Sequence, residues 1–408
     1  MNARLEATMA RGRAAGVTQL GAKQIDRDGR RVFLDRGREV LSFATCSYLG
    51  LEHDRRLANA AIEAIERHGV AFSASRCFLT SPLYAEAEEL LARIFARPVV
   101  LAGSTTLAHG AALPILLSAS DVVLHDRQVH HSVQTALAAL GPRGPLCVAL
   151  PHSDLDALET AVRDALAKGA RRVWYLADGI YSMFGDRLPV AGLVALMQRY
   201  DALHAYIDDA HGMSWCGSRG AGSVIDAGLP VERTVIVSSL SKGFGCAGGV
   251  IAVPDALTKQ RIENLGPSLM FSIQLPPPML GAVCASARLH LEDELSVMQR
   301  ELWVRLGLVR KLLRESPALS SRLPIASDEP SPVQYLVLGD AEQAIAATQR
   351  LIARGLLVNP VAFPAVPLRR GGVRFTIVRS HTDADVRRLV SALAVVVAEV
   401  CERPALSP

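Results

Sequence analysis

The sequence predicts an α/β fold: a mainly parallel central sheet covered by helices, followed by a smaller α+β C-terminal domain. Three observations predict it. From Pro98 onward, β-branched strands alternate with helix-length segments, the pattern of a parallel sheet buried on both faces. The polar residues there gather just after the strands, and sheets of this kind bind ligands at strand carboxyl ends. After about residue 285 a long helical run leads into short, separated strands, which marks a second domain. The expected divisions are an N-terminal arm over 1–45, a large domain over 46–288 and a small domain over 289–408.

Composition narrows the function classes. The chain has 408 residues, 50% of them hydrophobic, enough for a large core. Its net charge of +4 is small and spread out, which argues against nucleic acid as the main partner. No apolar window has the length of a membrane span, and Met1 to Arg13 is polar and basic, unlike a secretory signal. The cysteines at 46, 77, 147, 216, 246, 284 and 401 form no CxxC pair. They are expected to be reduced, mostly buried thiols of a cytoplasmic protein, with no metal site.

In chain order, residues 1–30 read as an amphipathic helix followed by polar turns, and Arg31–Asp35 with Glu39–Phe43 as a hairpin. Asp54 caps a helix with the apolar stripe Leu57, Ala61, Ile62 and Ile65, and Gly69 stands past its end. A helix over about 82–95 carries Glu86, Glu88 and Glu89, expected as a solvated face. Val99–Gly103, Asp121–Asp126, Arg172–Asp178, His204–Asp208 and the run at Val235–Val237 are strands, and a further apolar strand follows Gly249. Helical density over 280–315 precedes strands at Val333–Leu338 and Gly372–Val378. Thr382 with Asp385 caps a last helix with the stripe Val386, Leu389, Val390, Leu393 and Val397.

The chemistry centres on Thr234–Val253. A buried strand ends in Ser238, Ser239, Ser241 and Lys242, with glycines at 243, 245, 248 and 249. Hydroxyls and glycine backbone make a phosphate cradle, and a desolvated lysine is a nucleophile. Together they point to pyridoxal 5'-phosphate (PLP) held on Lys242, although alone they fit a surface lysine on a glycine-rich turn equally well. Asp208 ends a strand, where a carboxylate can pair with a protonated pyridine nitrogen or simply cap the next helix. His211 could reach the ring hydroxyl, and His130 could stack on the ring; each could also be an ordinary turn or surface histidine. Ser104 and Thr105 start a helix whose free N–H groups suit phosphate, or they merely cap it. Arg374 could clamp a carboxylate or form a surface ion pair.

Ser47–Leu51, Ser75–Arg76, Asp126 to His130, Asp178–Asp186, Asp208–Gly212, Ser239–Lys242, Phe271–Ser272 with Leu275–Pro277, and Arg374 with His381–Thr382 together resemble the α-oxoamine synthase family of PLP-dependent fold-type I enzymes, over about residues 40–400. The resemblance implies that Lys242 holds PLP and moves the substrate α-proton, Asp208 holds the pyridine nitrogen, and His130 stacks on the ring. It implies that His211 and Ser182 face the ring hydroxyl, that Ser239 meets the phosphate, and that Ser272 meets it from a partner subunit; Ser241, Ser104 and Thr105 are further phosphate candidates on their own chemistry. A homodimer with shared active sites follows. Asp178 belongs to the cofactor site, and Ser47, Tyr48, Arg76 and Arg374 to the substrate site. The implied reaction condenses an amino acid with an acyl-CoA or acyl-carrier-protein thioester, usually with decarboxylation, to an α-aminoketone.

The chain departs from the family pattern at Cys46 (usually Asn), Ala71–Ala74 with Phe72 (usually glycine-rich), Tyr84 (usually His), Gly103–Leu107 (usually with an aromatic residue and Asn), Asp178 (usually Glu) and Phe363–Pro367. These departures favour a specialised synthase making a signal or natural product. A fold-type I aminotransferase or lyase would use the same lysine, aspartate and arginine. A non-catalytic scaffold subunit would be expected to lack the lysine. No GxGxxG follows the first strand, which disfavours a nucleotide-binding dehydrogenase.

Overall fold

The computed structural model describes residues 2–26, 28–35, 37–324 and 330–401. They fall into two compact units: Met1–His53 with Ser182–Asp186 and Met298–Pro408, and Asp54–Tyr181 with Arg187–Val297.

The second unit is built on a seven-stranded sheet in the order Val99–Ala102, Gly249–Ala252, Thr234–Ser239, Leu203–Asp208, Val173–Asp178, Val122–Asp126, Leu146–Leu150. Gly249–Ala252 runs antiparallel to both neighbours, and the other pairings are parallel. Successive side chains alternate between two cores. Val173, Tyr175 and Ala177 enter one, and Trp174 and Leu176 enter the other, because side chains alternate sides along a strand. The strand Leu146–Leu150 is not among the expected ones; it is the outer edge, and although its sequence is apolar its first four residues are exposed.

Two expectations in this unit are corrected. Asp54 caps the helix Arg55–His68 by accepting from Arg56 N. That helix, however, buries Leu57 and Ala64, and Ile62 is 54% exposed and Ile65 also exposed. It packs on the helix Pro277–His290 at Gly281, where a Cβ would overlap Ala60 O and lie 2.9 Å from Ala64 Cβ. Glu88, expected on a solvated face, is only 6% exposed. Its Oε1 accepts from Arg76 Nη2 and Leu101 N, both at 3.0 Å, and its Oε2 accepts from Lys259 Nζ at 2.6 Å. A buried carboxylate needs such partners, and the Arg76 and Lys259 cations supply them.

The first unit holds two small sheets. One has the order Ala22–Ile25, Arg31–Leu34, Glu39–Ser42, Leu356–Leu357, and the other Val333–Gly339, Gly371–Thr376, Asn359–Val361. Ala22–Ile25 is wholly exposed, so its sequence shows no alternation. The expected hairpin forms, with Arg31 opposite Leu41. Thr382 and Asp385 hydrogen-bond reciprocally at the start of the helix Asp383–Cys401, whose five predicted stripe residues are buried. The expected divisions follow the order of the chain, whereas these units follow contacts. Leu356 pairs with Leu41, which ties the N-terminal arm to the C-terminal segment.

All seven cysteines are free, but only Cys216 and Cys284 are buried and Cys77 and Cys147 are exposed, so the expectation of mostly buried thiols does not hold. Among the described residues no helix is long and apolar enough to cross a membrane.

Candidate active site

The strand Leu203–Asp208 sets the site. Residues 206 and 208 point to the same face, and the helix Thr105–Leu116 packs there through Ala108, Ala111, Ala112 and Leu113. Asp208 is buried at the strand end. Its Oδ1 accepts from Ala210 N at 3.0 Å, and its Oδ2 lies 2.9 Å from His109 Nε2. Burial alone would raise this carboxyl. The hydrogen bond from His109, with Lys242 nearby, outweighs it and holds Asp208 below the usual carboxylate range.

Asp178 stands opposite Asp208 in the parallel register. Burial first, and then the charge of Asp208, push its carboxyl well above the usual range, so the two neighbouring acids are shifted in opposite directions. Asp178 Oδ1 accepts from His130 N at 2.9 Å, which fixes the start of the histidine turn. Asp126 fixes the other side. It accepts from Gln128 N at 2.7 Å, Ser153 N at 2.8 Å and Tyr181 Oη at 2.8 Å, with His152 Nδ1 at 3.1 Å. His130 is solvent-exposed yet closely surrounded by protein. That surrounding desolvation lowers its pKa, so the imidazole is neutral at pH 7.

Lys242 follows the strand Thr234–Ser239 in a turn, half-buried. Beside it, Ser239 Oγ lies 2.8 Å from Ser241 Oγ and accepts from Ser241 N at 3.2 Å. Gly249 pairs with both Ser239 and Ala102, which brings Ser104 and Thr105 alongside. A Cβ on Gly249 would come within 2.6 Å of Thr105 N. Ser104 caps the helix through its side chain, accepting from Leu107 N at 3.2 Å. Hydroxyls, helix N–H groups and a required glycine, beside a buried carboxylate and a lysine, fit the donor set of PLP.

Asp209 braces the turn that carries His211. Its carboxyl accepts from Ser223 N at 2.5 Å, Ser223 Oγ at 2.7 Å and Val224 N at 3.3 Å. A Cβ at Gly179, Gly212 or Gly222 would overlap that carboxyl. Burial raises Asp209 to about 7, against these hydrogen bonds. His211 is buried, and its carbonyl accepts from Trp215 Nε1 at 2.6 Å.

Ser272 lies in the second unit on a loop, its hydroxyl donating to Ile273 O at 3.3 Å. Arg76 is in the second unit as well, with its guanidinium engaged by Glu88, by Glu263 at 3.2 Å and by Leu101 O at 2.9 Å. Ser47, Tyr48, Ser182 and Arg374 belong to the first unit. There Arg374 is 6% exposed, donating from Nε to Ser182 O at 2.7 Å and from Nη2 to Cys46 Sγ at 3.6 Å. Tyr48 is buried and its carbonyl accepts from Arg379 N at 2.9 Å.

Sequence reasoning missed His109 and Tyr206. The available signal was a lone imidazole amid Ala108, Ala111, Ala112 and Leu113, since a polar group on a buried helix face needs a partner.

The model of the aminotransferase class I and II family matches residues 38–393. The chain is 34% identical to an 8-amino-7-oxononanoate synthase of Geobacter sulfurreducens over 90% of each chain. It is 32% identical to a putative 8-amino-7-oxononanoate synthase of Desulforudis audaxviator, over 95% of this chain and 97% of the relative. Its fold superposes on a serine palmitoyltransferase of S. paucimobilis with a TM-score of 0.87 at 21% identity, over 97% of each chain. These matches define a PLP-dependent enzyme of fold type I in the aminotransferase class I and II family. Within that family, the chain belongs to the α-oxoamine synthases, acyltransferases that work by condensation.

Proposed function

We propose that this protein condenses an α-amino acid with an acyl thioester, carried on CoA or on an acyl-carrier protein, to release a free thiol and, with loss of carbon dioxide, an α-aminoketone. One observation carries the reading of an amino acid as substrate. Arg374 is a buried guanidinium that meets no carboxylate among the described residues, only Ser182 O and Cys46 Sγ. A buried cation without an anion is costly, and a substrate α-carboxylate would complete it.

PLP, when bound, supplies an electron-withdrawing ring that acidifies the amino acid Cα–H. Lys242 Nζ holds the cofactor, then takes up and returns that proton. Asp208, ionised, keeps the proton on the pyridine nitrogen. Neutral His130 packs on the ring, positioned by the carboxyl of Asp178. Ser239, Ser241 and the N–H groups after Ser104 take the phosphate, joined by the partner subunit's Ser272. His211 and Ser182 serve the ring hydroxyl. Ser47, Tyr48 and Arg374 would serve the substrate.

A homodimer is part of this reading. Phe78 (89% exposed) and Phe271 (85% exposed), with Leu79 and Ile273, stand out from two loops. The loops are tied together by Ser75 Oγ donating to Met270 O at 2.8 Å and Gln274 Nε2 donating to Leu79 O at 3.0 Å. An apolar patch held rigid in this way suits a second copy of the chain. Seven free thiols fit a reducing, cytoplasmic setting. The departures at Cys46, Phe72, Tyr84 and the Gly103–Leu107 loop support a specialised pathway or signal rather than a housekeeping one.

The test is thiol release by purified protein with PLP, over a grid of amino acids and acyl thioesters, with Lys242→Ala as control. Amino-acid-dependent release, abolished in the control, is expected. PLP bound with no thiol from any CoA or carrier-protein donor, but with amino transfer to a keto acid, would replace the reading with an aminotransferase.

A further inference from the structure

His109 and Tyr206 have no part in the roles assigned so far, yet both are buried beside the acid that matters most. Tyr206 and Asp208 lie two residues apart on one strand and face the same helix. His109 bridges them, its Nδ1 lying 2.8 Å from Tyr206 Oη and its Nε2 2.9 Å from Asp208 Oδ2. His109 is fully buried, so neither bond is exchanged with water.

The protons in this chain can be placed by counting. Burial pushes the Tyr206 hydroxyl far above its usual range, so it keeps its hydrogen. That hydrogen needs an acceptor, and among the described residues His109 Nδ1 is its hydrogen-bond partner. Nδ1 therefore accepts, which leaves the ring proton on Nε2, aimed at Asp208. A doubly protonated imidazole would set Nδ1–H against the Tyr206 hydroxyl hydrogen and leave the latter without an acceptor.

We propose that His109 is a positioning residue for the cofactor: a neutral imidazole, fixed in its Nε2–H tautomer by Tyr206, that donates to Asp208 and keeps that carboxylate ionised and oriented for the pyridine nitrogen. This explains how two adjacent carboxyls divide their roles. Asp178 opposes Asp208 across the strands, and the two cannot both hold a charge cheaply in a buried place. His109 donates to Asp208 alone, so Asp208 keeps the charge. The inference rests on PLP lying between Asp208 and Lys242, and it deepens that reading by naming what supports the acid.

The test compares wild type, His109→Leu, His109→Gln and Tyr206→Phe without substrate, so absence of thiol release leaves its outcome intact. The readouts are the PLP dissociation constant, the pH midpoint of the visible PLP band and the melting temperature of the cofactor-free protein. A ring cation near the nitrogen that joins Lys242 to PLP disfavours a second proton there, so losing it moves the midpoint to higher pH. His109→Leu is expected to weaken PLP binding about 10-fold or more, the range for a hydrogen bond to a charged group, and to raise the midpoint by about one pH unit. His109→Gln, whose amide can donate but carries no charge, is expected to recover most of both. Wild-type affinity and midpoint in His109→Leu would overturn the proposal, as would equal losses in the Leu and Gln variants. Should His109→Leu not fold, Tyr206→Phe decides: a shifted midpoint supports the fixed tautomer, and an unshifted one overturns it. Wild-type protein with no visible PLP band would overturn both this and the reading beneath it.

Discussion

Arg374 shows what a single side chain can commit a protein to. Its guanidinium is buried against a carbonyl and a thiol, neither of which neutralises it. Arg374→Lys keeps a charge but loses the planar fork, so the KM for the amino acid is expected to rise about 10- to 100-fold with PLP binding unchanged. Steady-state thiol release with varied amino acid measures this, and an unchanged KM would remove the carboxylate role. At this scale the sequence was legible where a chemical group ends a buried run: Lys242 and Asp208 each follow β-branched or apolar strand residues, a place that needs a reason. His109 was missed, because a lone histidine in an apolar helix signals a buried partner but carries no spacing that says which. Glu88 was illegible for the opposite reason: acidic residues on helices are nearly always solvated, and its partners Arg76 and Lys259 lie outside its own helix.

At the scale of elements, alternation between strand and helix gave the central sheet, since both faces are buried and its strands are rich in apolar and β-branched residues. Leu146–Leu150 is just as apolar, yet its first four residues are exposed at the sheet edge. Direction was also hidden. Nothing in Gly249–Ala252 distinguishes an antiparallel strand from a parallel one, because a pleat buried on both faces reads alike either way. The turns joining strands to chemistry are where small changes weigh most. Gly222 has φ 113° and a Cβ there would overlap the Asp209 carboxyl, so Gly222→Ala carries both backbone strain and an overlap. It is expected to cost on the order of 2–4 kcal/mol by urea denaturation, well beyond a surface glycine such as Gly169. Tyr84 makes a related point. Its hydroxyl accepts from Leu275 N at 2.6 Å, just past the Phe271–Ile273 loop. Tyr84→Phe orphans that N–H, and a loss of about 1–3 kcal/mol is expected from the same measurement.

For the molecule as a whole, the proposed homodimer and the buried histidines each make a prediction. If the exposed patch at Phe78 and Phe271 holds the proposed homodimer, Phe271→Asp is expected to give a monomer by sedimentation and, with Ser272 serving the partner's phosphate site, to lose activity; a fully active monomer would refute shared sites. Acid sensitivity has a readable source in His290, held between Ser286 O and Ser214 Oγ at 2.8 Å each and lowered by burial to about 4. Its folded value lies below the ordinary histidine value, so the unfolded chain takes the proton first. The contribution to stability is complete above about pH 6.5 and is lost as pH falls toward 4, by about 1.4 kcal/mol per pH unit. The advantage of wild type over His290→Gln in urea should therefore shrink along that range, and a constant advantage would contradict it.

The division of the chain also sets a timetable for its birth. Asn359 Nδ2 donates to Ala44 O across 315 residues, and Leu41 waits equally long for Leu356. On a ribosome, the unit from Asp54 to Val297 can emerge whole while the first fifty residues still lack the strand that completes their sheet. The newborn arm thus leaves Val32 and Val40 without Ile352 until the final quarter of translation, and a nascent chain stalled before that point would offer this strand edge to chaperones.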